Sequence, residues 1–206
     1  MTVDEQERTE SPRSKRRMIL DAAIDNFGGV GFEHTKWATI ADEVGIGQTA
    51  LYHYFESKVH CLLTIMSTEL ERSLERTRKV TADVDDPGEK VRVAVAAAFD
   101  VTQREALQAR ILMSHQDLLV GERSSKREEA ERQRARELVR EIEHEWAGLI
   151  KVATTARRRR KDDQIVLARL MLGMINSVWR WYRPEGAHSL AEISDVVVDS
   201  CARLIP

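Results

Sequence analysis

The chain has 206 residues, 42% of them apolar, which is enough to bury a substantial core as one large or two small domains. Four prolines, ten glycines and 5% aromatics, with no run of strand period, favour an all-α fold over any sheet. A net charge of -2 excludes a bulk polycation, so affinity for nucleic acid would have to come from where charges sit.

Residues 1–13 read as a disordered, polar arm. Arg13, Lys15, Arg16 and Arg17 follow it, either as a solvated helix start or as cations laid along phosphates or into a minor groove, with Arg16 and Arg17 the strongest candidates. A first helix is expected over 14–28, because Ile19, Ala22, Ala23 and Phe27 make one apolar stripe and glycines end it. The triplet Gly28, Gly29, Gly31 follows no strand and is not a phosphate loop.

The stretch 37–58 is the most informative. Ile40, Ala41 and Val44 share a helical face, and Gly45 stops that helix. After the Gly45-Ile46-Gly47 turn, a short helix is expected over 48–54. Leu51 and Phe55 fall on its inner side, and Gln48, Thr49, Tyr52 and His53 form the opposite stripe. Two short helices joined by a glycine turn, the second polar outward, describe either a helix-turn-helix or a plain helical hairpin. Between Ser11 and Lys58 six cations are matched by six carboxylates, so the charge balance does not decide between them.

Resemblance does. The run Ile40-Ala41, Val44-Gly45-Ile46, Leu51-Tyr52-His53-Tyr54-Phe55, Ser57-Lys58, preceded by Ala22-Ala23, Phe27, Gly31-Phe32 and Thr35, closely resembles the TetR family of bacterial regulators. It covers about a quarter of the chain. The resemblance implies a three-helix DNA-binding domain over 14–60, with Tyr52, His53 and Lys58 as phosphate contacts and Gln48 and Thr49 as readers of base edges. Lys36 and Trp37, at the start of the motif, join Arg16 and Arg17 as further DNA candidates. Three positions depart from the family's habit: Gly47 where a Ser or Thr commonly caps the recognition helix, Thr49-Ala50 where Gly and a hydroxyl residue commonly follow, and Lys36 where a capping Thr is usual.

The remainder, 61–206, reads as a larger helical domain for ligand binding and dimerisation, about nine helices in all. From Ser57 a helix carries Leu62, Leu63, Met66, Leu70 and Leu74 and then turns polar toward Val80. Asp86-Pro87-Gly88-Glu89 starts another, expected to run to about Gln103. An apolar helix over 107–120 contains His115, Gln116 and Asp117, a trio that either lines a pocket or caps the helix end. A long charged helix over 124–155 has Leu138, Ile142 and Trp146 on its buried edge. The basic run 157–161 after it is either a cap on that helix or a handle for an anionic ligand. Residues 165–182 are apolar on nearly all faces, and Ser189-Leu190-Ala191-Glu192 boxes the start of a last helix with apolar surface to spare. Together these two helices predict a homodimer interface.

Met113, His115, Trp146, Asn176 and Trp179 are the candidate ligand-binding residues. The stretch Trp179-Arg180-Trp181-Tyr182-Arg183-Pro184-Glu185-Gly186 is similar to a TetR branch that responds to CoA thioesters, which implies such an effector. The expected partners are therefore a double-stranded DNA operator, a small-molecule effector and a second copy of the chain, with no cofactor. Cys61 and Cys201 have no metal-ligand spacing and read as reduced packing residues of a cytoplasmic protein. Arg169, Asn176 and Arg180 interrupt the most apolar stretch, so no membrane span is expected. The sequence offers no catalytic order of nucleophile and base, and the rival to a regulator is a helical scaffold without specific DNA binding.

Overall fold

The computed structural model describes residues 11–154 and 163–205. Among them are nine α-helices, one 3-10 turn and no strand. The chain separates into two compact units, Met1–Leu62 and Leu63–Pro206.

The first unit holds α1 (Pro12–Gly29), α2 (Trp37–Val44), α3 (Gln48–Tyr54) and the first turn of α4 (Lys58–Thr81). Ser11 caps α1 by accepting the Ser14 N–H at 3.2 Å, and Pro12, which has no N–H to satisfy, opens the first turn. The α2 helix ends where Gly45 turns left-handed at φ 67, a conformation that costs other residues more than glycine. The Ile46 N–H then returns to Ala41 O at 3.0 Å and fixes the tight turn into α3. Ile19, Ala23, Phe27, Ile40, Leu51 and Phe55 form the core of this unit. Phe27 and Phe32 meet edge to face at 5.1 Å.

The second unit contains the rest of α4, then α5 (Pro87–Ala97), α6 (Gln103–Ser114), a 3-10 turn (Gln116–Leu119), α7 (Lys126–Ala153), α8 (Asp163–Trp181) and α9 (Leu190–Leu204). Asp86 and Ser189 cap α5 and α9 as their sequences indicate, the Asp86 carboxylate taking the Glu89 N–H at 2.7 Å. The expected extent of α5 is corrected. It stops at Ala97 because Thr102 and Glu105 form a full capping box that starts α6 at Gln103. The expected helix over 107–120 is likewise α6 followed by the 3-10 turn. The basic run 157–161 lies outside the described residues.

Ion pairs tie α4 to α7, with Arg134 gripping Glu71 at 2.8 and 3.0 Å and Arg78 reaching Glu145 at 3.0 Å. Arg132 is the exception on α7. Instead of lying on the solvated face it is buried, chelating Glu129 at 2.6 and 2.8 Å and donating to Leu119 O at 3.0 Å. Those bonds, with the Arg123 N–H to Glu129 at 2.9 Å, hold the loop after the 3-10 turn against α7 and keep the Glu129 carboxyl down at about 2. Cys61 and Cys201 are free and fully buried, and burial pushes both thiols up, that of Cys201 to about 11.

Candidate nucleic-acid interface and effector cavity

In α3 the side chain of Leu51 is completely enclosed, and one helix of seven residues thereby has its orientation fixed. Gln48, Thr49, Tyr52 and His53 are exposed on its other side, Tyr52 at 46%. They offer amide, hydroxyl and imidazole groups on a backbone narrow enough for a major groove. Lys36 and Arg17 are also exposed, Arg17 lying 4.0 Å from Asp21.

The other three candidates are tied up inside the unit. The Lys58 ammonium donates to Phe32 O at 2.6 Å and Thr35 O at 3.0 Å, and stands 4.3 Å from the centroid of the Phe32 ring. It caps the turn before α2 instead of pointing outward. Arg16 is half-buried, its guanidinium 4.6 Å over the Phe55 ring, so it serves the same core. Trp37 is likewise turned inward: it is buried at 9%, and its indole Nε1 is enclosed without a hydrogen-bond partner among the described residues. The role of Lys58 was not legible beforehand, because a cation three residues past the core aromatic Phe55 reads as surface unless the turn carbonyls it caps are known.

The second unit holds a partly open cavity of about 360 Å³, lined mainly by α4, α6, α7 and α8. Of the candidate ligand-binding residues, Met113, Trp146, Asn176 and Trp179 line it. His115 does not. It ends α6, with Nδ1 2.8 Å from Ile111 O, and its neighbour Gln116 takes the place on the wall. Trp146 and Trp179 are almost entirely buried, and Phe99 stacks on Trp179 at 5.8 Å.

The wall also holds charge that the sequence did not reveal. Glu69 is 5% exposed, and burial, against the attraction of Arg72 and Arg76, pushes its carboxyl up to about 7. Arg72 Nη1 donates to Glu69 at 3.2 Å and to Gln108 at 2.6 Å, and Arg76 donates to Glu105 at 3.0 Å. Burial acts to raise Glu105 as well, but hydrogen bonds from Thr102 and the two arginines outweigh it, and its carboxyl lies below the ordinary value. Elsewhere on the wall, Arg169 holds Glu143 through two bonds of 2.8 and 3.0 Å. Glu69 sits at a helix position that, with Arg72, Arg76 and Glu105, reads as ordinary surface charge; only the packing of α4 on α6 turns it inward.

On the outer side of α8, Val166, Leu170 and Trp181 are each more than half exposed at helical spacing, and Val196 on α9 is exposed as well. No helix among the described residues is long and apolar enough to cross a membrane.

Comparison with known proteins agrees with this architecture. Residues 19–65 match the family described as bacterial regulatory proteins, tetR family, and residues 84–205 match the family described as Tetracyclin repressor-like, C-terminal domain. The HTH-type transcriptional repressor KstR2 of Rhodococcus jostii is 26% identical over 211 residues, covering 98% of each chain. The HTH-type transcriptional activator FasR of Mycolicibacterium smegmatis is 27% identical over 105 residues, and the match spans 50% of this chain and only 48% of FasR. Several of the curated relatives are matched, like FasR, over about half their length. Among solved structures, AibR in complex with isovaleryl coenzyme A and operator DNA superposes with a TM-score of 0.73 at 21% identity, covering 90% of this chain and 97% of AibR, which speaks for the fold. With a C-terminal family match that alone spans more than half of the sequence, the chain belongs to the TetR family of bacterial regulatory proteins.

Proposed function

We propose that this chain is a homodimeric, ligand-responsive transcriptional regulator, a repressor that leaves its operator when a small molecule fills the cavity of the second unit. The exposed polar stripe of α3 carries this reading, because four hydrogen-bonding side chains face outward from a helix whose opposite side is locked by Leu51. Gln48 and Thr49 read base edges, Tyr52 and His53 hold phosphates, and Lys36 and Arg17 add cations that fix register. Arg16 and Lys58 act one step removed, by holding the core and the turn on which the stripe depends. A scaffold protein would present mainly apolar anchors on such a face, whereas here Gln48, Thr49 and His53 surround Tyr52 as the one large ring.

The exposed apolar residues of α8 and α9 support dimerisation through these two helices. Half-sites of a two-fold helix-turn-helix dimer lie about 34 to 36 Å apart, so a ligand that changes the spacing by a few Å weakens both contacts together. A CoA thioester is the effector class we favour, on the Trp179–Gly186 resemblance and on the ligand named for AibR. Nothing in this reading requires turnover, and the protein would work in the cytoplasm.

Titration of DNA flanking the chain's own gene is the test. Affinity should fall steeply with salt. Tyr52→Ala should weaken all duplexes by a similar factor, whereas Gln48→Ala should cost about 1–3 kcal/mol on the operator and blur discrimination. Equal affinity of the wild type for operator and random duplex overturns the proposal.

A further inference from the structure

We propose that Glu69 sets the ligand class of the cavity: an apolar molecule whose enclosed end bears a neutral hydroxyl is accepted, and one ending in a carboxylate is turned away. This deepens the effector reading above and rests on it for its biological meaning.

Two observations carry it. The first is that the cations on the wall are already compensated. Arg76 is held by Glu105 at 3.0 Å, and Arg169 by Glu143 at 2.8 Å. Arg72, beside them, lies 3.2 Å from Glu69 and 3.8 Å from Glu105. An incoming carboxylate therefore meets no uncompensated guanidinium, and at the Glu69 end it meets a second negative charge in surroundings that screen poorly.

The second is unused hydrogen-bonding capacity. A carboxylate has about four lone-pair sites, and Glu69 accepts one hydrogen bond among the described residues, from Arg72. Asn176, on α8, also lines the cavity, with an amide that makes no hydrogen bond to another described residue. Gln116 spends its amide on the thioether of Met113 at 3.2 Å, a weak acceptor. A hydroxyl answers both kinds of group, because it donates to a carboxylate and accepts from an amide.

The experiment uses the full chain at pH 8 without DNA, titrated with 1-decanol and with decanoate, binding being read from isothermal titration calorimetry and from intrinsic fluorescence, to which Trp146 and Trp179 in the cavity wall contribute. The wild type should bind decanol at least about tenfold more tightly than decanoate, as a hydrogen bond to a charged group warrants. Glu69→Gln keeps the shape and an acceptor for Arg72 but removes the charge, and should narrow the ratio to about threefold or less. Decanoate binding as well as decanol to the wild type, a ratio unchanged in Glu69→Gln, or no response to either probe overturns the assignment. The wild-type comparison stands without any variant. Addition of operator DNA separates the two readings: decanol that binds selectively but leaves DNA affinity unchanged overturns the effector reading and not the role of Glu69.

Discussion

The polar stripe of α3 and the polar patch of the cavity are opposite solutions to the same problem. On α3 a short helix buries one leucine and leaves its hydrogen-bonding groups in water, where they cost nothing until a partner arrives. In the cavity, Glu69 is withdrawn from bulk water beforehand, so part of the desolvation is already borne by the fold. The first arrangement tolerates many ligands and gains specificity by geometry. The second is selective by chemistry and strains the protein that carries it.

The largest effect expected from this contrast concerns how little holds the reading surface in place. Phe55 is wholly buried, lies under the Arg16 guanidinium and meets His60 edge to face, so Phe55→Ala should cost about 3–5 kcal/mol in the first unit. Hydrogen exchange should show protection lost over 12–57, while decanol binding in the second unit persists. Loss of both together would mean that the two regions fold as one and that the contrast is false.

The strain in the cavity should appear as a pH dependence. Burial lifts Glu69 from 4.5 to about 7, so the folded chain holds that proton more tightly than the unfolded one. Stability is therefore undiminished by this group below about pH 4.5 and falls as pH rises through 7, by on the order of 2–3 kcal/mol. Glu69→Gln should leave the Tm nearly unchanged at pH 4.5 and raise it by several degrees at pH 8. The comparison must be made against the wild type at each pH, since Glu105 and Glu129 contribute in the opposite direction. A Tm difference independent of pH would show that Glu69 is not the strained group.

This asymmetry also explains what could be read from the residues alone. The stripe of α3 was legible because periodicity reports which side of a single helix faces inward, and Leu51 with Phe55 gave that side away. Helix starts at Asp86 and Ser189 were legible because a cap is local chemistry. The Thr102 to Glu105 box has the same spacing and was readable, yet the Val and Ala run before it suggested an unbroken helix. The charged wall of the cavity was not readable. Glu69, Arg72 and Arg76 look like a solvated face of α4, and the pairing of the two arginines depends on α6 supplying Glu105 and Gln108 from about thirty residues away. The same holds for Lys58, whose partners are carbonyls that no side-chain pattern announces.

The turn between α2 and α3 gives a smaller effect. Gly45 has φ 67 and open space where a side chain would project, so Gly45→Ala meets no clash and tests backbone conformation alone. It should cost about 1–2 kcal/mol, detectable as a lower denaturation midpoint, with decanol binding untouched. A cost well above this would mean that the turn must also move closer to another part of the first unit than Cβ allows.

The smallest effect is the most diagnostic for the α3 surface. Gly47 caps the helix without a side-chain acceptor, and a β carbon there would meet nothing within 4 Å. Gly47→Ser should supply the missing acceptor and stabilise the helix by a few tenths of a kcal/mol. For a helix of seven residues, held mainly by Leu51, that is a change in fraying and not in fold. If pre-ordering is all the serine does, operator affinity should rise by no more than about twofold, in step with the stability gain. An increase of tenfold with unchanged stability would instead mark residue 47 as a direct phosphate contact, and would extend the reading surface by one residue toward the glycine turn.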